Sequence, residues 1–270
     1  MPELPEVETT RRGIEPYLLN RVISQLEIFE RRLRWPIPVE VDHLLGATVT
    51  AIDRRGKYLL IQVERGTAII HLGMSGSLRV CIADEPRRKH DHFQLGTAEK
   101  HIIRYHDPRR FGCLLWQAAG EEAHPLLSKL GPEPLSDSFD AQHLFDATRK
   151  RQVAIKNLIM NSQVVVGVGN IYASESLYMA GVAPGRAARR ITRNECKRLT
   201  HAIKQVLQRS ITQGGTTLRD FVNSDGNPGY FAQMLNVYGR DGEPCRHCGT
   251  LIRQRVLGQR STFYCNKCQK

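Results

Sequence analysis

The chain has 270 residues, 41% of them hydrophobic, and carries 39 lysines and arginines against 27 aspartates and glutamates. No apolar run approaches the ~20 residues that span a bilayer, and no secretory leader pattern opens the sequence, so a cytoplasmic location is the expectation. The net charge of +12 favours a polyanionic partner, nucleic acid ahead of membrane, because no basic amphipathic helix with a broad apolar face is evident.

The sequence opens Met1-Pro2-Glu3-Leu4-Pro5-Glu6. Trimming of Met1 leaves Pro2 as a secondary amine beside a carboxylate. An α-amine near pKa ~8 is roughly 10% neutral at pH 7, against well under ~0.1% for an ordinary lysine, so it is a ready nucleophile without a buried pocket. Pro5 to Gly13 reads as a helix, with proline in its first turn and Glu6 and Glu8 at the positive end of the dipole. Leu4, Val7, Ile14 and Leu18 share one face, and Pro16 is expected to kink or end the helix.

Short strand-like runs follow at Val22–Phe29, Ala47–Asp53, Lys57–Val63, Ala68–Leu72, Ser77–Cys81, His92–Leu95, Ile102–Tyr105 and Cys113–Trp116. Turn residues such as Arg55-Gly56, Arg65-Gly66 and Asp107-Pro108 separate many of them. Such a succession without intervening helices predicts an antiparallel β-sandwich or flattened barrel. Gly131-Pro132-Glu133-Pro134 looks like a domain junction. Beyond it the period turns helical, with candidates at Phe139–Thr148, Val153–Asn161, Asn170–Met179 and Thr192–Gln213. The last opens on a Thr192/Glu195 capping box and stops at Gly214-Gly215. A polar, glycine-containing stretch from Thr216 to Tyr230 precedes a cysteine-rich tail.

The seven cysteines fall at 81, 113, 196, 245, 248, 265 and 268, an odd count that argues against a disulfide framework. Cys245-x-x-Cys248 and Cys265-x-x-Cys268, 16 residues apart, have the paired spacing of one tetrahedral four-sulfur Zn2+ site. Four thiolates leave no open position for an activated water, so the zinc would be structural, and His247 reads as a surface residue. The insert between the cysteine pairs can form a hairpin that aims Arg260 from near its tip.

Other segments carry candidate chemistry beside plainer readings. Gly167-Val168-Gly169-Asn170 sits at a helix start, where free N–H groups and the helix dipole can hold a phosphate, though alone it could be a simple turn. His106-Asp107-Pro108-Arg109-Arg110-Phe111-Gly112 sets an aromatic beside two cations, which suits a wedge into a base stack, though Phe111 could as well enter the core. Met74, flanked by glycines in His71-Leu72-Gly73-Met74-Ser75-Gly76, is a second apolar residue on a tight loop. Lys57 is either a solvated charge or, if it faces the groove of Pro2, a phosphate ligand or proton carrier.

Together these motifs, with Val166-Gly167-Val168-Gly169-Asn170-Ile171-Tyr172-Ala173-Ser174-Glu175, resemble the formamidopyrimidine-DNA glycosylases, over essentially the whole chain. These are bacterial base-excision-repair enzymes that remove oxidised purines such as 8-oxoguanine from duplex DNA. The resemblance implies an α+β fold, with an N-terminal helix plus antiparallel β-sandwich, then a helix-two-turn-helix domain with a zinc-finger hairpin. The expected divisions are a catalytic domain at 1–133, a DNA-binding domain with a lesion-capping loop at 134–230, and the finger at 231–270. By the same resemblance Pro2 attacks C1′, Glu3 protonates the sugar ring oxygen, and Lys57 and Arg260 serve the β- and δ-eliminations. Glu3 is expected to be kept protonated by burial and by Glu6.

Met74, Arg109 and Phe111 resemble the trio that fills the void left by the flipped base, with Arg109 reading the orphaned cytosine. His71, His90, Arg151, Asn170 and Tyr238 resemble further DNA contacts, and Thr216–Tyr230 the loop that caps the extruded base. Damaged double-stranded DNA is then the partner, a monomer suffices, and the location is the bacterial cytoplasm, at the nucleoid. A non-catalytic zinc-bearing DNA regulator would share the charge and the finger but leave Pro2, Glu3 and Lys57 without a task. A proline-amine isomerase of keto acids explains neither. The endonuclease VIII-like branch shares Pro2-Glu3, but the Leu4–Thr9 continuation and the Asp107–Gly112 loop favour the purine branch.

Overall fold

A computed structural model describes residues 2–215 and 234–270, so the expected capping loop at 216–230 lies outside the described residues. The chain forms two compact units, one built on Met1–Ser128 and the other on Lys129–Thr212 with Gln233–Lys270.

The first unit opens with α1 (Leu4–Leu18), followed by eight strands: β1 (Gln25–Ile28), β2 (Val49–Arg55), β3 (Tyr58–Val63), β4 (Gly66–His71), β5 (Ser77–Ile82), β6 (Asp91–Gly96), β7 (His101–His106) and β8 (Cys113–Ala118). They pair antiparallel in two four-stranded sheets, ordered β1-β6-β7-β5 and β2-β3-β4-β8. The alternation in β3, where Leu59, Ile61 and Val63 are buried, is the period-2 pattern of a strand with one face on a core. That core joins Ile52, Leu59, Ile61 and Ile70 of one sheet to Phe93, Leu95, Ile103 and Tyr105 of the other, with Val7, Ile14 and Leu18 of α1 packed into it. Fully burying each such aliphatic side chain contributes about 1.5–3 kcal/mol, which anchors α1 and with it the N-terminus.

Pro16 does not end α1. Its missing N–H removes one bond in the final turn, but Leu18 remains buried and the Leu19 N–H still closes on the Glu15 carbonyl at 2.9 Å.

The second unit is helical, with a β-hairpin. After the short α2 (Pro125–Ser128) of the first unit come α3 (Ala141–Thr148), α4 (Ile155–Ile159), α5 (Asn170–Ala180) and α6 (Arg193–Thr212), then β9 (Arg253–Leu257) and β10 (Arg260–Tyr264). Asp140 caps α3 by accepting the His143 N–H at 2.7 Å. The expected box opens α6: Thr192 Oγ1 accepts the Glu195 N–H at 3.2 Å while Glu195 Oε2 accepts the Thr192 N–H at 2.9 Å. Helix α4 is shorter than expected. Ala154 bridges Ala187, and the Ile155 and Lys156 N–H groups donate to the Arg186 and Pro184 carbonyls at 2.8 and 3.2 Å, so its entry is held by a distant segment.

Candidate active site and nucleic-acid interface

Pro2 is buried directly ahead of α1, and Glu3 is the helix N-cap with 2% of its surface exposed. The Glu6 carboxylate, fully buried, accepts the Glu3 N–H at 2.8 Å, and the Glu3 carboxylate accepts the Glu6 N–H in turn, as a capping box. Burial disfavours a charged carboxylate, and a hydrogen bond accepted from an N–H favours it. One oxygen of a protonated carboxyl can keep the N–H bond while the other carries the proton.

Lys57 lies in the turn between β2 and β3, next to His71 at the end of β4. The His71 ring is held at a pKa of about 4 by desolvation first, then by the charges of Lys57 and Arg34. Its Nδ1 accepts the Gly73 N–H at 2.9 Å, which fixes the neutral tautomer with the proton on Nε2. A neutral N–H donor is thus presented beside two cations. His90, in a left-handed backbone conformation at φ 75°, is likewise held below its ordinary pKa by partial desolvation and by the neighbouring Lys89.

Met74 and Phe111 are 40% and 44% exposed, far from the burial expected of core residues, and the Arg109 guanidinium lies 4.7 Å from the Phe111 ring centre. Both loops border a cavity of about 590 Å³ lined by Arg34, His71, Gly73, Met74, Arg110 and Phe111. They are pressed together. A Cβ on Gly73 (φ +66°) would stand 2.5 Å from the Gly112 nitrogen, and one on Gly112 would stand 2.4 Å from the His71 carbonyl oxygen. The structure thus brings His71, Met74, Phe111 and the turn holding Lys57 into one region of the first unit. Arg34, also on this cavity, carries no motif and is visible only once the chain is folded.

In the second unit, Asn170 is the first residue of α5, with Gly169 as N-cap. Its Oδ1 accepts from Lys156 Nζ at 2.6 Å and its Nδ2 donates to the Ser261 carbonyl at 3.0 Å. Lys156, fully buried, also donates to Thr262 Oγ1 at 2.7 Å and to the Ser261 carbonyl at 3.2 Å. The helix start is therefore tied to the hairpin that bears Arg260. Arg260 itself is exposed at the tip, where the two-residue turn Gly258-Gln259 has φ of 55° and 62°, the signature of a type I′ hairpin. Arg151 is exposed, and its carbonyl accepts the Arg189 N–H at 2.9 Å. Half-buried Tyr238 packs edge-on to Phe263 at 5.1 Å, and its N–H donates to the buried Glu175 carboxylate at 2.9 Å.

The sulfurs of Cys245, Cys248, Cys265 and Cys268 lie within 4.8 Å of one another, a donor set and spacing that fit one tetrahedral zinc ion. His247 is exposed, as expected of a residue outside that set.

The first unit is thus a two-sheet sandwich with a buried acidic helix start and with Met74 and Phe111 exposed beside cationic side chains, and the second is a helical unit with a four-thiolate finger. Three family models match the chain in order: the formamidopyrimidine-DNA glycosylase N-terminal domain over residues 1–114, its H2TH domain over 130–222, and the zinc finger found in FPG and IleRS over 242–270. Formamidopyrimidine-DNA glycosylase of Thioalkalivibrio sulfidiphilus is 58% identical over the full length of both chains. That of Haemophilus ducreyi is 55% identical over 100% of this chain and 98% of its own. Among solved structures, the MutM (FPG) protein of Thermus thermophilus superposes with a TM-score of 0.89 at 37% identity, over 99% of this chain and 98% of its own. The Lactococcus lactis FPG mutant G226P, in complex with a Fapy-dG containing DNA, matches at 0.92 and 33% over all of both chains. The chain belongs to the formamidopyrimidine-DNA glycosylase family.

Proposed function

We propose that this protein excises oxidised purines, 8-oxoguanine and formamidopyrimidines, from duplex DNA and then cuts the strand on both sides of the lesion. Once Met1 is removed, the Pro2 nitrogen attacks C1′ of the extruded nucleotide, and the bond from C1′ to the damaged base breaks, the base leaving with the electron pair and taking up the proton that the amine gives up. Glu3 delivers a proton to the sugar ring oxygen, the ring opens, and the nitrogen lone pair forms an iminium at C1′. A secondary amine gives a cation that needs no further proton. That cation acidifies C2′–H; loss of this proton expels the 3′ phosphate, and loss of a second proton from C4′ expels the 5′ phosphate. Lys57 serves the first elimination and Arg260 the second, with neutral His71 and Asn170 donating to phosphates.

Extrusion costs a few kcal/mol of lost stacking, which Met74, Arg109 and Phe111 offset by occupying the void. His90, Arg151 and Tyr238 complete the DNA contacts on a chain whose charge of +12 suits a polyphosphate. The zinc, held by Cys245, Cys248, Cys265 and Cys268, supplies only rigidity to the hairpin. The observation that carries this reading is the buried Glu3–Glu6 capping box, which anchors an acid immediately behind the Pro2 amine.

Borohydride tests it. Incubated with duplex carrying 8-oxoguanine opposite cytosine, protein with an authentic Pro2 terminus gives a reduced covalent adduct whose cross-linked peptide begins at Pro2. An N-terminally extended form gives none. Absence of any adduct from folded, zinc-loaded, correctly processed protein sinks the mechanism.

A further inference from the structure

Asp107 has no surface exposure, yet its carboxylate accepts four hydrogen bonds from three different segments. Oδ1 takes the Ser75 hydroxyl at 2.9 Å and the Arg109 N–H at 3.2 Å; Oδ2 takes the Gly112 N–H at 2.9 Å and the Tyr105 hydroxyl at 3.2 Å. Its backbone is held too, with the carbonyl accepting from His92 Nε2 at 2.8 Å and from the Arg110 N–H at 3.2 Å. Every lone pair of a buried carboxylate is thereby matched to a donor, the condition under which burial of the charge is tolerated.

The identity of the donors matters more than their number. Ser75 immediately follows Met74. Arg109 and Gly112 bracket the turn that presents Arg109 and Phe111. Tyr105, fully buried, sits in β7 and has its hydroxyl at the seam between the two loops, 1.8 Å from where a Gly112 Cβ would stand. The only side chains of these loops left to solvent as large apolar groups are Met74 and Phe111.

We propose that Asp107 is a positioning residue that staples the Met74 loop to the Arg109–Phe111 loop, so that the void-filling groups enter the base stack as one preformed wedge. The inference rests on the glycosylase reading. Without the staple two short loops must be ordered separately on each encounter, and that ordering cost falls on the extrusion step. It does not fall on chemistry at a site that needs no extrusion.

Ser75→Ala breaks only the link to the Met74 loop, and Asp107→Asn places an amide where two of the four donors point. Three readouts separate their effects: single-turnover excision of 8-oxoguanine from duplex, cleavage of an abasic site in a single-stranded oligonucleotide, and fluorescence of 2-aminopurine beside the lesion as a report of unstacking. Loss of a hydrogen bond to a charged acceptor predicts that Ser75→Ala slows duplex excision roughly tenfold, and Asp107→Asn by more. The 2-aminopurine signal is expected to weaken in both variants while single-strand cleavage by Ser75→Ala changes less than about twofold. A parallel fall on both substrates, or no fall on the duplex, overturns the staple. If the wild type cuts neither substrate the glycosylase reading fails, and an unchanged 2-aminopurine signal in Ser75→Ala then overturns the staple by itself.

Discussion

Replacing Lys156 by methionine tests how the arginine-bearing hairpin is held. The Lys156 ammonium is fully buried and donates to Asn170 Oδ1 at 2.6 Å, Thr262 Oγ1 at 2.7 Å and the Ser261 carbonyl at 3.2 Å. Hydrogen bonds from a charged donor contribute about 1.5–3 kcal/mol each, so the two short ones amount to roughly 3–6 kcal/mol. The third counts for less, because the Ser261 carbonyl keeps the Asn170 amide at 3.0 Å. Against this, methionine fills similar volume without burying a cation, whose desolvation costs several kcal/mol. The balance is a loss of about 2–3 kcal/mol, which lowers Tm by roughly 4–12 °C in a chain of this size. Calorimetry on the zinc-loaded protein measures it, and single-turnover strand cleavage should fall as well because Arg260 adjoins Ser261. A Tm within about 1 °C of wild type would mean that the ammonium merely balances its own burial and does not hold the hairpin.

Gly112→Ala sets a methyl 1.8 Å from the Tyr105 hydroxyl and 2.4 Å from the His71 carbonyl, so it should destabilise by about 1–3 kcal/mol or more in urea unfolding. Tyr105→Phe removes the nearer clash but also the hydroxyl that donates to Asp107 at 3.2 Å, so the comparison is a double-mutant cycle. Gly112→Ala should cost less in the Tyr105→Phe background than in wild type, and an equal cost in both would show that the backbone contact dominates. His71 has a folded pKa of about 4, below the ordinary 6.5, so the unfolded chain binds its proton first as the pH falls. Its contribution to stability is complete above the ordinary value and is lost as the pH drops toward 4, so wild type should lose more stability across that window than His71→Gln. Equal pH slopes in denaturant midpoint would refute the assignment. Chelation of zinc, which leaves four thiols within 4.8 Å without their common partner, should abolish DNA retention in a gel shift until zinc is restored. Undiminished binding by the metal-free protein would remove the finger from the proposed interface.

The sandwich was legible because its strands alternate, as Leu59, Ile61 and Val63 do, and because glycines punctuate them. The finger was legible because metal geometry dictates ligand spacing, and α6 because Thr192 and Glu195 form a local box. The features that no local pattern encodes depend on distant chain. The start of α4 is set by residues 184–187, some 30 positions away, which no local period reports. Lys156 carries no motif, and only the fold sets Asn170 and Thr262 around its ammonium. Arg34 has no motif and reaches its cavity only through folding. Asp107 belongs to a recognisable turn, but its hydroxyl donors come from β7 and from a loop some 30 residues earlier.

Those carboxylates point to a division of labour by charge. With 39 cationic side chains and 27 anionic ones, a polyanion binder gains from keeping acids off the surface that meets its ligand. Several are buried as clamps on backbone N–H groups instead. Glu6 takes the N–H of Glu3, Asp91 that of Arg88, and Asp107 those of Arg109 and Gly112. Glu175 takes three in succession, from Asn236, Val237 and Tyr238. In each case the clamped segment carries, or adjoins, a residue assigned above to chemistry or DNA contact: Pro2, His90, Phe111 and Tyr238. A carboxylate is suited to this task because one group accepts several N–H bonds, and several donors are what make a buried anion tolerable. An amide can reproduce the shape of the clamp but turns one acceptor into a donor. Glu175→Gln should therefore loosen the 236–238 segment, detectable as faster amide hydrogen exchange there, without changing the zinc content of the finger.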